Sequence, residues 1–175
     1  TACPVNTTVN TGAGGCNAIV NYTATATGIP TPGQSFVFTG ATTGSGVGTG
    51  TGTAFNKGIT TVTLTAANTC ASNAICIFTI TVNDNAIPTV VCIGNQARST
   101  NASVCTYTAV GTEFNPTSSS DNCGVTTTTY TLTGVTTGTG SNTLASIVFN
   151  KGVTTVVWKV TDAAGNSGTC SFTIT

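Results

Sequence analysis

One stretch of this chain is written twice. Phe55-Asn56-Lys57-Gly58 leads into Ile59-Thr60-Thr61-Val62, and Phe149-Asn150-Lys151-Gly152 leads into Val153-Thr154-Thr155-Val156. At the same offset, Cys76-Ile77-Phe78-Thr79-Ile80-Thr81 returns as Cys170-Ser171-Phe172-Thr173-Ile174-Thr175. Self-similarity at one fixed distance marks repeated structural units, and it constrains the fold before any local propensity does. A chain of 175 residues has room for two small domains. The expected division is 1–84 and 85–175. The boundary falls within Val82-Asn83-Asp84-Asn85-Ala86-Ile87-Pro88, where Pro88 obstructs continuation of a strand ladder.

The local pattern is that of strands. No segment keeps a 3.6-residue apolar period, whereas alternation with period two recurs. In Val156-Val157-Trp158-Lys159-Val160 the even positions form one face and Lys159 points to water. The lone Trp, Trp158, therefore reads as core rather than as a sugar-stacking platform. Cys76 shares parity with Phe78 and Ile80, and Cys170 with Phe172 and Ile174. Cys16 shares parity with Ala18 and Val20, and Cys105 with Tyr107 and Ala109, so all four sulfurs are expected to face inward. Turn signals follow at short intervals, among them Thr11-Gly12-Ala13-Gly14-Gly15, Thr31-Pro32-Gly33 and Ala163-Ala164-Gly165-Asn166. Short strands with frequent turns predict an all-β class and a β-sandwich architecture. The Gly/Thr tracts from Gly40 to Gly52 and from Gly134 to Gly140 read either as flexible loops or as edge strands.

Charge is nearly absent. Asp84, Glu113, Asp121 and Asp162 face Lys57, Arg98, Lys151 and Lys159, and there is no His. This excludes the electrostatic footprint of a nucleic-acid partner and leaves no basic cluster for anionic lipid. No apolar run is long enough to span a membrane as a helix. The 43 Thr residues solvate the surface and also favour strands. Zero net charge permits close approach of copies. Without His, no Ser-His or Cys-His nucleophile can be assembled. Carboxylate pairs drawn from Glu113, Asp121 and Asp162 are the remaining route to acid–base chemistry. Turn chemistry is the competing use, with Asp162 and Asp121 capping backbone N–H groups. No catalytic residue and no cofactor is expected. The absence of Cys-x-x-Cys pairs argues against zinc and redox-active sites. The chain begins at Thr1 with neither Met nor a signal peptide, which reads as a mature protein or a fragment.

The order of motifs carries a resemblance. Cys3-Pro4, Phe55-Asn56-Lys57-Gly58 and Cys76-Ile77-Phe78 are followed in the second copy by Cys92, Asp121-Asn122-Cys123, Phe149-Asn150-Lys151-Gly152, Thr161-Asp162-Ala163-Ala164-Gly165-Asn166 and Cys170-Ser171-Phe172. This series resembles the HYR (hyalin repeat) family along essentially the whole chain. The first copy departs from it with Ala66-Ala67-Asn68-Thr69-Cys70 in place of Thr-Asp-x-x-Gly-Asn, and the second lacks the Pro after Cys92. The resemblance implies two tandem immunoglobulin-like β-sandwiches in an extracellular, adhesive or matrix-associated protein, without catalysis. Similar bacterial repeats imply a secreted or cell-surface, bacterial location.

Eight cysteines fall four to each copy, which argues for disulfides and an oxidising compartment. The resemblance implies that the first and last of each copy are joined, Cys3–Cys76 and Cys92–Cys170. That leaves Cys16–Cys70 and Cys105–Cys123 as the second pairs. Joining of neighbours, Cys3–Cys16 and Cys92–Cys105, is the open alternative. Asn83-Asp84-Asn85 resembles the calcium-binding linker of cadherins, so Asp84, with Asp121 and Asp162, is a candidate calcium ligand, although calcium takes six to eight oxygens. Asn6, Asn21 and Asn101 head N-x-S/T sequons and are candidate glycosylation sites. The expected role is a structural or adhesive repeat of a stalk, adhesin or filament, whose partners are copies of itself or neighbouring repeats. The alternative is a glycan- or protein-binding module acting through the Gly/Thr tracts.

Overall fold

The computed structural model describes residues 2–12 and 14–175; Thr1, and Ala13 of the turn signal at 11–15, lie outside the described residues. Every regular element among the described residues is a strand. The chain divides into two compact units, Thr1–Asn85 and Ala86–Thr175.

The first unit contains β1 (Thr7–Asn10), β2 (Asn17–Val20), β3 (Gly33–Gly40), β4 (Gly44–Val47), β5 (Thr53–Asn56), β6 (Gly58–Asn68) and β7 (Ala71–Asn83). One sheet runs β1-β7-β6-β3-β4, and a second pairs β2 with β5. β1 lies parallel to β7, and the other pairings are antiparallel. Alternation decides the faces. β6 buries Thr60, Val62, Leu64 and Ala66, while β7 buries Phe78, Ile80 and Val82. Val20 of β2 and Phe55 of β5 close the core from the other side. Phe38 meets Phe55 edge-on at 5.0 Å. Each buried Val, Leu, Ile or Phe here stabilises by about 1.5–3 kcal/mol relative to exposure.

The second unit contains β8 (Thr89–Val91), β9 (Thr106–Thr108), β10 (Ser118–Ser120), β11 (Val125–Gly134), β12 (Gly138–Ser141), β13 (Val148–Asn150), β14 (Thr154–Asp162) and β15 (Ser167–Ile174). Its main sheet is β12-β11-β14-β15, with the pairs β13-β9 and β10-β8 beside it. Trp158 is fully buried among Phe114, Tyr130 and Phe172. Its indole N–H donates to the Phe114 carbonyl at 3.0 Å, which satisfies the one polar atom it brings inside.

The duplicated Phe-Asn-Lys-Gly stretch performs the same task in both units. The Asn56 backbone N–H donates to Thr42 Oγ1 at 2.8 Å, and its side-chain amide donates to the Ala41 carbonyl at 3.2 Å. Asn150 repeats this with Thr136 Oγ1 and the Val135 carbonyl, at 2.8 and 3.1 Å. The phenylalanine beside each asparagine is core. The clasped segments follow Gly40 and Gly134, whose φ values of 101° and 106° suit glycine. A Cβ on either would strike the Ile59 or Val153 carbonyl oxygen.

Part of each Gly/Thr tract is an edge strand, and the remainder is turn and loop. β4 pairs along β3, and β12 along β11. Glycine is needed where aromatic rings cover the strand: Gly46 and Gly50 lie under Phe36 and Phe38, and Gly140 lies under Tyr130.

One disulfide joins the opening segment of each unit to its last strand, Cys3–Cys76 in the first and Cys92–Cys170 in the second. The expected Cys16–Cys70 and Cys105–Cys123 bonds are absent, because Cys70 and Cys105 are exposed free thiols. Cys16 and Cys123 are disulfide-bonded, but not to those residues. The reason is distance along the strands. The Cys16 carbonyl accepts from Lys57 N–H, where β6 begins, whereas Cys70 follows the far end of β6. At about 3.3 Å per residue, β6 separates them by roughly 30 Å, against an upper limit of about 7 Å between bridged Cα atoms. In the second unit the Cys105 carbonyl accepts from Lys151 N–H, just before β14, and Cys123 precedes Val125, which pairs with Asp162 at the other end of β14. The inward orientation expected for Cys105 also fails. It precedes β9, so the strand's alternation does not extend to it.

Candidate functional site

The acids were the candidate chemistry, and the fold sorts them into three settings. Glu113 is held within the second unit. Its carboxylate accepts from Arg98 Nε at 3.1 Å, from Tyr107 Oη at 2.8 Å and from the Val110 N–H at 2.7 Å. Partial burial would raise its pKa, but these three donors outweigh that and hold it below the usual carboxylate range. The hydrogen bond to Glu113, with desolvation, raises the Tyr107 pKa against the opposing pull of Arg98. Arg98 also lies over the Phe114 ring, 5.1 Å from its centroid. Glu113 is thus a structural anchor rather than half of a carboxylate pair.

Asp162, at the end of β14, closes an Asx turn. Its Oδ1 accepts from Ala164 N–H and Asn166 N–H at 2.8 Å each, and its Oδ2 accepts from Asn166 Nδ2 at 2.8 Å. Desolvation pushes its pKa up. The Asn166 side chain and the backbone N–H groups of the turn overcome it, and the net direction is down. Asp121 lies close by, with carboxylate oxygens of the two acids within 4.8 Å of one another. Asp121 Oδ2 accepts from Cys123 N–H at 2.8 Å, while its Oδ1 is buried without a hydrogen-bond partner. Such an atom costs free energy unless a proton or a cation satisfies it.

Asp84, in the first unit, has a fully buried side chain. It accepts from Lys57 Nζ at 3.3 Å and from Thr11 Oγ1 at 3.5 Å. The lysine of the duplicated motif therefore neutralises this acid. In the second unit the equivalent Lys151 is exposed.

All three sequon asparagines are exposed. The Oδ1 atoms of Asn6 and Asn101 accept from Thr79 N–H and Thr108 N–H, at 2.9 and 2.8 Å. Both side chains therefore also serve the sheets.

One surface was not foreseen from the sequence. The outer face of the five-stranded sheet carries two rows in register, Val47–Ser35–Thr65–Ile75 and Ser45–Val37–Thr63–Ile77. Ile75 and Ile77 are 64% and 62% exposed, and no charge interrupts either row. The signal was present in Ile75-Cys76-Ile77-Phe78, where both parities are apolar and both faces of the strand must be as well.

A family model for the HYR domain matches residues 83–175. No curated protein matches the chain. Solved structures that are similar to it include human CDH23 EC21-23, at 12% identity and a TM-score of 0.39, covering 98% of this chain and 60% of that one. Drosophila N-cadherin EC1-4 is similar at 15% identity and a TM-score of 0.35, with 81% and 40% covered. The chain thus spans less than two thirds of the length of these structures.

Proposed function

Because the chain belongs to the HYR domain family, we propose that it is a non-catalytic extracellular module, structural or adhesive, of a stalk, surface adhesin or filament. In this reading residues 1–84 and 85–175 are two HYR-like, immunoglobulin-like β-sandwiches, and the partners are further copies or neighbouring repeats. The observation that carries it is the uncharged Thr/Ile/Val outer face of the first unit. Exposed sheets normally carry charge that opposes lateral and edge association, and this one carries none. The Gly/Thr tracts support the rival reading, glycan or protein binding through loops, less well, since hydrogen bonds and aromatic packing already engage them. Electron microscopy of the purified native protein tests the proposal. Ordered assemblies are expected at high concentration, and isolated particles throughout would overturn it.

Calcium is a second reading, favoured by the unsatisfied Asp121 Oδ1 beside the Asp162 carboxylate. Two carboxylates fall short of a full calcium shell, so backbone carbonyls and water must complete it. Calorimetric titration of the full chain with calcium gives heat that D121N abolishes if this reading holds. An unchanged titration in D121N, or no heat in either protein, removes it.

A further inference from the structure

Cys70 and Cys105 are the two free thiols among the described residues, one in each unit, in a chain whose other six cysteines are all disulfide-bonded. A cysteine left over in a disulfide-bonded extracellular protein suggests a partner on another chain. Their placement points the same way. The first unit continues into the second from the end of β7 at Asn83, and Cys70 sits at the opposite end, on the β6–β7 hairpin. The second unit starts beside Gly168, which backs onto the Pro88 carbonyl, and Cys105 sits at its opposite end, beside Lys151. Each thiol therefore marks the end of its own unit remote from the joining segment.

The repeat supplies an independent observation. Cys16 occupies in the first unit the place that Cys105 occupies in the second. Each has its carbonyl hydrogen-bonded to the lysine N–H of the Phe-Asn-Lys-Gly motif, at 3.0 and 3.1 Å. Cys16 is disulfide-bonded, so this position in the fold already serves as a half-cystine. Shape selects the match. Cys70 projects on a tight hairpin tip next to Thr69 and Ala71. Cys105 lines an open groove of about 500 Å³ with Arg98, Thr100, Lys151 and Gly152. A convex tip fits a groove, whereas two grooves facing each other hold their sulfurs apart.

We propose that Cys70 of one copy forms a disulfide with Cys105 of the next, linking copies head to tail. The inference rests on the filament reading above and names its covalent joint. Such a contact is heterologous, and repetition that does not close into a ring gives an open filament. The step is thiol–disulfide exchange with a small extracellular disulfide such as oxidised glutathione. One cysteine thiolate attacks it and releases a glutathione thiolate. The second cysteine thiolate then attacks the mixed disulfide and releases the other. The two cysteines lose two protons and two electrons, and one oxidised glutathione becomes two reduced molecules.

The test uses the full chain with its other disulfides intact, treated with oxidised glutathione and resolved by non-reducing electrophoresis. A ladder of multimers is expected, with a Cys70–Cys105 cross-linked peptide in the mass spectrum. C70S and C105S should each remain monomeric, and their mixture should stop at a dimer. The inference is overturned if the wild type stays monomeric, whether its thiols persist or disappear into a bond within one chain. It is equally overturned if either single variant dimerises as readily as the mixture. Microscopy of the C70S/C105S double variant separates the two claims. Filaments of unlinked chains retain the filament reading without the covalent joint, and a wild type that never assembles removes both.

Discussion

Asn56 and Asn150 each tie the end of a strand, β5 or β13, to the segment that follows β3 or β11, by one bond from the main chain and one from the side chain. The two bonds differ in consequence. Asn150 Nδ2 lies at an exposed site where water replaces a lost partner, while the Asn150 N–H depends on Thr136 Oγ1, on a buried residue. Thr136→Val should therefore destabilise the second unit by about 1–3 kcal/mol, and Asn150→Ala by about 1 kcal/mol or less. Urea unfolding followed by Trp158 fluorescence reads this, since the only Trp is buried in that unit. Equal shifts in midpoint would show that the clasp does not depend on the buried hydroxyl. The acids add a pH dependence. Asp162 and Glu113 both have folded-state pKa values below their ordinary ones. Their stabilisation is complete above the unfolded carboxylate range, near pH 4, and is lost as pH falls through the lower folded values. The urea midpoint should accordingly fall on acidification below about pH 4, and Asp162→Asn should flatten that decline. An acid limb unchanged in the variant would place the titration elsewhere.

Strand faces were legible from alternation and strand lengths were not, and the cysteines show the consequence. Parity placed Cys76 and Cys170 correctly towards their cores, because both lie inside long strands. It failed at Cys105, one residue before a three-residue strand. Parity also says nothing about position along a strand, so it raised no objection to Cys16–Cys70, the pair that the resemblance left over, although β6 lies lengthwise between them. The two bonds that did form join the opening segment of each unit to its last strand. Their worth follows from the loop they close. With Cys92 and Cys170 separated by 78 positions in sequence, the chain-entropy model gives about 4–5 kcal/mol. The double variant C92S/C170S should lose most of the second unit's stability, with a denatured state that is less compact and a steeper urea dependence. Trp158 fluorescence again reports it, and a midpoint near that of the wild type would mean that packing around Trp158 suffices alone. The acidic site was only half legible. The residue types announced Asp121 and Asp162, but that turn bonds would saturate Asp162 and leave Asp121 Oδ1 unsatisfied depends on backbone placement that no spacing rule gives.

At the scale of the whole molecule the deciding quantity is charge. Four acidic and four basic side chains cancel to zero, so nothing long-ranged keeps copies apart, and hydroxyls supply most of the wetting. Association through the uncharged rows of the first unit should therefore be indifferent to sodium chloride, which screens charges that are not there, and should strengthen with sulfate, which favours apolar burial. One side chain tests the face itself. Ile77 stands 62% exposed, with Thr63 and then Val37 in register beside it. Lysine at this position buries nothing new, so Ile77→Lys should change the unit's own stability by no more than about 0.5 kcal/mol. In an assembly that packs these faces together, however, each contact would have to desolvate an ammonium group without a partner, because neither row contains an acid. Sedimentation of Ile77→Lys beside the wild type should show lateral assembly lost while the urea midpoint holds. If the variant assembles as the wild type does, copies meet through another surface, and the exposed isoleucines have no part in it.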